Sequence, residues 1–243
     1  MSAKQRICVI IPAYNEAETL PAVIESVRRE LPEADMVVMN DGSVDATSDI
    51  AHGLGVTVLD LPINLGIGGA VQTGIKYAWR NDYDVAVELD GDGQHNPSYA
   101  RTLVDGLEED GGSDLVIGSR FVASSDYRSS PMRQFGIHLF SWLIKLMTGK
   151  RVYDSTSGFR TYNRRAMKYL SHDYPADFPE PESIVMLLSR GFRIKELPVE
   201  MRERQGGVSV VASDVSWKAI YFVASNAIAI VLTGVTTRYV TSR

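Results

Sequence analysis

The chain has 243 residues, 44% of them hydrophobic, with 25 basic and 30 acidic side chains and a net charge of −5. That length supports one sizeable buried core, and the acidic balance argues against a nucleic-acid binder that works by bulk charge. Cys8 is the single cysteine, which excludes an intrachain disulfide; inside an apolar run it reads as a small core residue, not a reactive thiol.

The first strand spans residues 6–11, a continuous apolar run closed by Pro12. It is too short for a signal peptide, so an intracellular protein is expected. A helix follows from about Thr19, an expected N-cap, with Pro21 in its first turn and an end near Leu31-Pro32. Residues 35–39 form a second strand, closed by Asn40-Asp41-Gly42-Ser43. Asp45 or Thr47 caps a helix running to about Gly53, and residues 56–59 are a third strand. Residues 64–80 carry a glycine-rich turn that runs into a helix. Residues 85–89 are a fourth strand, which stops abruptly at Asp90-Gly91-Asp92-Gly93-Gln94-His95. Residues 98–108 are helical, and residues 115–117 are a strand followed by Gly118-Ser119-Arg120.

Strands alternating with helices imply an α/β fold with an open, mostly parallel sheet covered on both faces. Ligands bind such sheets outside the carboxyl ends of the strands. The polar clusters fall there: Tyr14-Asn15-Glu16, Asp41-Gly42-Ser43, Asp90 to Gln94, and Ser119-Arg120.

The second half is organised differently. Residues 133–148 predict a helix with Gln134, His138, Ser141, Lys145 and Thr148 on a polar stripe. Apolar residues including Leu146 lie opposite, and Trp142 is at the boundary. Ser157-Gly158-Phe159-Arg160 precedes a helix at 164–170. Pro179-Glu180-Pro181-Glu182 precedes another at 183–189, and residues 193–201 read as a strand broken by Pro198. Residues 204–209 form a polar loop, and a final apolar helix covers about 215–239. Its core, 219–235, is at the short limit for a membrane span. Lys218, Ser225, Asn226, Thr233 and Thr237 share one face, which favours an interfacial or partner-packed helix over a span.

The acidic loop carries the chemistry. Two carboxylates one residue apart, with glycines between and after them, can meet a divalent cation with little steric hindrance. Oxygen ligands of this kind suit Mg²⁺ or Mn²⁺, which also bind substrate phosphates, so a metal–diphosphate unit is expected at this strand end. The glycine-rich turn is not a dinucleotide fingerprint: Val71 occupies the third glycine position, and the turn does not follow the first strand. Its glycines are expected to let the helix approach the donor or the sheet closely.

I-P-A-Y-N-E at 11–16, N-D-G-S-V-D-A-T at 40–47, N-L-G-I-G-G-A at 64–70 and D-G-D-G-Q-H at 90–95 are followed by G-S-R at 118–120, S-G-F-R at 157–160 and R-Q-G-G-V-S at 204–209. In this order the motifs resemble the family 2 glycosyltransferases, above all the dolichol- or polyprenyl-phosphate mannose or glucose synthases. The resemblance implies a GT-A, Rossmann-like catalytic domain over 1–212, which includes the amphipathic helix at 131–149, and a membrane- or partner-facing helix over 213–243. It implies metal-dependent, inverting transfer of a hexose from a GDP- or UDP-sugar to dolichyl or undecaprenyl phosphate. In the family pattern Asp92 and Gln94 reach Mg²⁺ or Mn²⁺. Asp90 and Gly91 lie nearer the donor, Pro12, Tyr14, Glu16 and Asp41 surround the nucleotide, and Arg204 closes over the diphosphate.

A phosphate acceptor is already anionic near neutral pH and needs positive groups in place of a general base. The resemblance gives that role to Arg120 and Arg133, with Ser157 and Arg160 beside them; Asp92, Arg120 and Arg133 are the expected catalytic residues. Glu180 and Glu182 read as acceptor-site or structural carboxylates, His95 as a helix cap and His138 as a surface residue. The expected location is cytoplasmic and peripheral to the membrane, held by the lipid surface, by a small membrane protein or by subunit association. Two alternatives stand beside this reading: a transferase with a hydroxyl acceptor in polysaccharide synthesis, and a non-catalytic nucleotide-sugar-binding subunit.

Overall fold

The computed structural model describes residues 5–122, 131–201 and 217–241, apart from the side chains of 131–135, 217–222 and 238–241. Strand β1 (Ile7–Ala13) is buried along its whole length, which accounts for its unbroken apolar run. β2 (Asp35–Asn40) and β4 (Val85–Glu88) pair with β1 in parallel, and β3 (Thr57–Asp60) pairs with β2 in the same sense. Helices α1 (Leu20–Glu30), α2 (Thr47–Gly53) and α3 (Gly66–Arg80) connect these strands. The chain continues through α4 (Ala100–Asp105), β5 (Leu115–Ser119), α5 (Pro131–Thr148), β6 (Arg160–Asn163), α6 (Arg164–Leu170), α7 (Pro179–Ser189), β7 (Ile194–Pro198) and α8 (Trp217–Thr241). The seven strands lie in the order β3-β2-β1-β4-β6-β5-β7.

Alternate residues of β1 feed two cores, as the pleat requires. Cys8 and Ile10 pack on the side of α3 and α5 to α8, with Phe140, Ile184 and Ile230. Ile7, Val9 and Ile11 pack on the side of α1, α2 and α4. Cys8 is fully buried, and burial pushes its thiol up to about 12, so it is a core residue as expected.

Strand β6 departs from the sequence-based expectation, which has no strand at 160–163. It inserts between β4 and β5, antiparallel to both. Its four residues, Arg-Thr-Tyr-Asn, have no apolar run, so neighbouring strands specify it. The close approach of α3 to the sheet is made by Gly74, beyond the glycine-rich turn, while the turn's own Gly68 meets the segment after α6. A Cβ on Gly74 would lie 3.0 Å from Ile10 Cβ and 2.8 Å from Met39 Cε. One on Gly68 would lie 2.5 Å from the Ala176 carbonyl oxygen and 2.6 Å from that of Pro175.

On α5 the structure corrects the expected face: Ser141 is buried while Trp142 and Leu146 are exposed beside His138 and Lys145. On α8, where the spacing left the orientation open, Asn226 and Thr237 are buried, and Ile228, Leu232 and Val235 face outward. Polar contacts inside the fold explain part of this, since Thr233 Oγ1 donates to Glu182 Oε2 on α7 at 2.9 Å. The expected boundary at 212/213 lies outside the described residues. Ile230 of α8 is fully buried in the core that includes α5 and α7 residues, so this helix is packed on the main fold.

Gly68 faces backbone carbonyls that no side-chain rotation can move aside. Gly68→Ala is expected to cost about 1–3 kcal/mol of stability, read from the urea midpoint; an unchanged midpoint would contradict this packing.

Candidate active site

Hydrogen bonds stitch together the loops that follow β1 and β2. Asn15 adopts φ +56°; its N–H donates to Ser43 Oγ at 3.0 Å, and its Oδ1 accepts from Val44 N–H at 2.9 Å. Glu16 N–H donates to Thr47 Oγ1 at 2.8 Å, while Tyr14, just before Asn15, is 47% exposed. Asp41 is buried: its N–H donates to the Ala13 carbonyl, and its Oδ1 accepts from Leu65 N–H at 2.7 Å. Gly42 has φ +69°, and a Cβ there would lie 2.7 Å from Asn64 N. Asp41-Gly42 therefore seats the glycine-rich turn against the end of β2.

The acidic loop is clamped beside them. Leu89 N–H donates to Ile10 O at 3.1 Å and Gly91 N–H to Pro12 O at 3.3 Å, so the loop continues the β1–β4 ladder. Thr19 Oγ1 lies 2.8 Å from both Glu16 Oε2 and Gly91 O. The α1 start therefore lacks the expected side-chain cap; the threonine hydroxyl links Glu16 to the acidic loop instead. Gln94 N–H donates to Asp92 Oδ1 at 2.9 Å.

His95 also departs from expectation. It is buried, stacked on Phe159 at 5.1 Å, and its Nδ1 accepts from Asp90 N–H at 3.0 Å. Burial lowers its pKa to about 4, so the ring is neutral, as an accepting Nδ1 requires. Asn96 does the capping, accepting from Ser98 N–H. A Cβ on Gly158 would lie 3.4 and 3.5 Å from the two Asp90 carboxylate oxygens, so Ser157-Gly158-Phe159 forms the other wall of the loop. His138 is exposed on α5, as expected.

The Asp90 and Asp92 carboxylates and the Gln94 side-chain carbonyl are oxygen donors of the kind that suits a hard divalent cation. No group of three or more His, Cys, Asp or Glu able to hold a metal occurs among the described residues. A cation at this loop would complete its shell with phosphate oxygens and water, which Mg²⁺ commonly does.

The acceptor-side residues are more enclosed than expected. Arg120 is 4% exposed and grips Asp154 with two parallel bonds, Nε to Oδ2 at 2.7 Å and Nη2 to Oδ1 at 2.6 Å. Ser157 Oγ donates to the Gly118 carbonyl at 2.6 Å. Arg160 is fully buried; Nε donates to Ser157 O, Nη1 to Ser183 Oγ, and Nη2 to Glu180 O and Ser155 O. The expected acceptor contact of Ser157 and Arg160 is thus corrected: both are committed to the protein interior. Arg133 falls within α5 with its side chain outside the described residues, and Arg204 lies outside them altogether.

Glu88 was absent from the sequence-based site. It is 2% exposed and accepts from Tyr162 Oη; burial pushes its carboxyl up to about 8, against the Arg160 charge and the tyrosine bond. Its signal was a lone acid inside the apolar run VAVEL. Burial likewise raises Glu180, in spite of Arg160, so Glu180 belongs to the same interior group. Asp154 had no comparable signal, because its partner is 34 residues away.

A family model described as Glycosyl transferase family 2 matches residues 8–170. The chain is 31% identical over 230 residues to a polyprenol monophosphomannose synthase of Mycolicibacterium smegmatis, covering 90% of this chain and 86% of that protein. It is 31% identical over 227 residues to an undecaprenyl-phosphate mannosyltransferase of Micrococcus luteus, covering 88% and 91%. A solved glucosyl-3-phosphoglycerate synthase of Mycobacterium tuberculosis, crystallised with Mn²⁺, UDP and phosphoglyceric acid, matches with a TM-score of 0.71 at 19% identity. That match covers 97% of this chain and 79% of that one and speaks for the fold.

The Glu88 environment has a signed consequence. The carboxyl ionises near 4.5 in an unfolded chain and near 8 in the fold, so the folded state keeps a proton that the unfolded state releases. The stability that this proton contributes is complete below about pH 4.5 and is lost as pH rises to about 8. Between about pH 5 and pH 8, Glu88→Gln is expected to gain stability relative to the native chain by urea denaturation. A constant difference between the two proteins across that window would contradict the assignment.

Proposed function

The chain belongs to glycosyl transferase family 2, and from that premise we propose that it transfers a hexose from a nucleoside diphosphate sugar to a polyprenyl phosphate. It is a glycosyltransferase of GT-A fold. The observation that carries the reading is the acidic loop, clamped to β1 through Gly91 N–H and held from within by His95. Relatives that act on polyprenyl phosphates across most of the chain support the acceptor class.

Asp92 and Gln94, with Asp90 on the donor side, would hold Mg²⁺ or Mn²⁺. When bound, the ion would supply charge neutralisation for the departing nucleoside diphosphate. Pro12, Tyr14, Glu16 and Asp41 line the nucleoside side, on loops already stitched together, so little ordering is left for substrate binding. Gly91 lets the loop backbone approach the donor. A phosphate oxygen of the acceptor attacks the anomeric carbon, the bond to the diphosphate breaks, and a single in-line displacement inverts that carbon. The acceptor carries its own negative charge, so no side chain has to remove a proton.

Arg133 and Arg204 meet the acceptor and donor phosphates, respectively, for which the planar guanidinium is well shaped. Arg120 is charge-balanced by Asp154, and the pair orders the end of β5. The protein works at the cytoplasmic leaflet; no helix among the described residues is long and apolar enough to cross a membrane.

The test is transfer of radiolabelled sugar from a panel of GDP- and UDP-hexoses to undecaprenyl or dolichyl phosphate, with Mn²⁺ or Mg²⁺ and with EDTA. A chelator-sensitive lipid product is expected, reduced roughly 100-fold or more in Asp92→Ala. Product on a carbohydrate hydroxyl with none on lipid phosphate would replace this reading with polysaccharide synthesis. Donor binding without turnover would replace it with a binding subunit.

A further inference from the structure

We propose that the groove between α6 and the turn joining α7 to β7 is a docking surface for an acidic segment of a partner protein that carries one large apolar anchor residue. The groove has a volume of about 350 Å³ and is lined by Arg165, Lys168, Tyr169, His172, Asp173 and Phe192. Its floor is aromatic: the Tyr169 and Phe192 rings lie 5.5 Å apart, tilted by 38°. Arg165, Lys168, Tyr169 and His172 stand at positions i, i+3, i+4 and i+7, so α6 and its last turn present them on one side. Ring contacts hold two of the rim cations in place. Arg165 Cζ lies 4.0 Å over the Phe192 ring, and the His172 ring meets Trp79 of α3 edge-on at 5.1 Å.

The charge of the rim selects the occupant. The chain as a whole is acidic, at −5, but this groove is not. Ion pairs in the region join Arg164 to Asp82 and Arg165 to Asp114, and among the described residues Lys168, His172 and Arg190 have none. Arg190 Cζ sits 4.8 Å over the Tyr169 ring, and its Nη1 is buried without a hydrogen-bond partner. Asp173 is the only carboxylate lining the groove, and it accepts from Tyr169 Oη at 3.2 Å. Positive charge around an aromatic floor complements a large apolar side chain flanked by carboxylates. Aromatic rings with arginine are also the composition of protein-recognition hot spots. A small ligand fits less well, because the groove is open and such sites enclose most of their ligand. A two-fold contact with a second copy would set these cations against their own counterparts. The position leaves the substrate site free. β6 ends at Asn163 opposite Val85, the start of β4, and β7 begins at Ile194 opposite Leu115, the start of β5. The groove is therefore at the strand-start edge of the sheet, whereas the acidic loop follows the far end of β4.

The experiment selects peptides from an unbiased phage-displayed dodecapeptide library on the full native chain and measures the enriched peptides by fluorescence anisotropy. They are expected to share one large aliphatic or aromatic residue flanked by carboxylates, and to bind more weakly as salt rises. Lys168 and His172 are exposed, so their variants are expected to keep the native thermal midpoint. Lys168→Glu with His172→Glu should raise Kd at least about tenfold, Lys168→Glu alone about threefold, and Lys168→Arg less than about twofold. Failure to enrich any peptide would overturn the proposal, as would enriched peptides without carboxylates or equal binding by the folded variants. Displacement of the peptides by UDP or GDP would also overturn it, by placing them at the acidic loop. So would displacement by inorganic phosphate, which would make the groove a small-anion site, or a native dimer that Lys168→Glu dissociates.

Discussion

A single guanidinium without access to water holds the centre of this molecule together. Arg160 starts β6, opposite Glu88 of β4 and Ile117 of β5. A buried charge is tolerated only when its hydrogen bonds are satisfied. Here the satisfaction comes from separate parts of the chain: carbonyls of Ser155 and Ser157 in the loop before β6, and the Glu180 carbonyl and Ser183 hydroxyl of α7. The same side chain thus fixes the antiparallel insertion, the start of α7 and the segment whose Gly158 and Phe159 wall the acidic loop. A role in shaping the site accounts for the arginine of Ser-Gly-Phe-Arg without contact to substrate.

The acidic loop shows the same economy. Its backbone is held by β1 carbonyls, by a neutral histidine from within the loop and by a threonine of α1. Supports from three directions fix the path of Asp90 to Gln94 before any ligand arrives, and preorganised charge is what stabilises a developing negative charge most effectively. Arg120 and Asp154 extend this logic to the end of β5. The pair is buried and bidentate, so its strength lies in geometry, and loss of either partner would leave an uncompensated charge.

The parallel strands were legible because each apolar run stops at a polar cluster, and the sheet brings the clusters after β1, β2 and β4 to one edge. The acidic loop was legible for the same reason. β6 was not, since Arg-Thr-Tyr-Asn acquires its strand conformation from two neighbours distant in sequence. Helical spacing showed that α8 has a polar and an apolar face but not which one turns inward; the contact of Thr233 with Glu182 and the close approach at Gly234 are tertiary. Ser157 and Arg160 belonged to a motif beside the site, and only burial distinguishes a group that supports a site from one that touches a ligand. His95 was visible as a letter in the motif, but its stacking partner lies 64 residues along the chain.

The most direct measurement of the central claim is paramagnetic broadening of backbone amide signals by substoichiometric Mn²⁺ in the presence of UDP or GDP. The expected result is selective loss of the Gly91, Asp92, Gly93 and Gln94 amides, strengthened by the nucleotide and abolished in Asp92→Ala. Broadening centred on another part of the molecule, or a pattern unchanged in Asp92→Ala, would contradict a metal–diphosphate site at the end of β4.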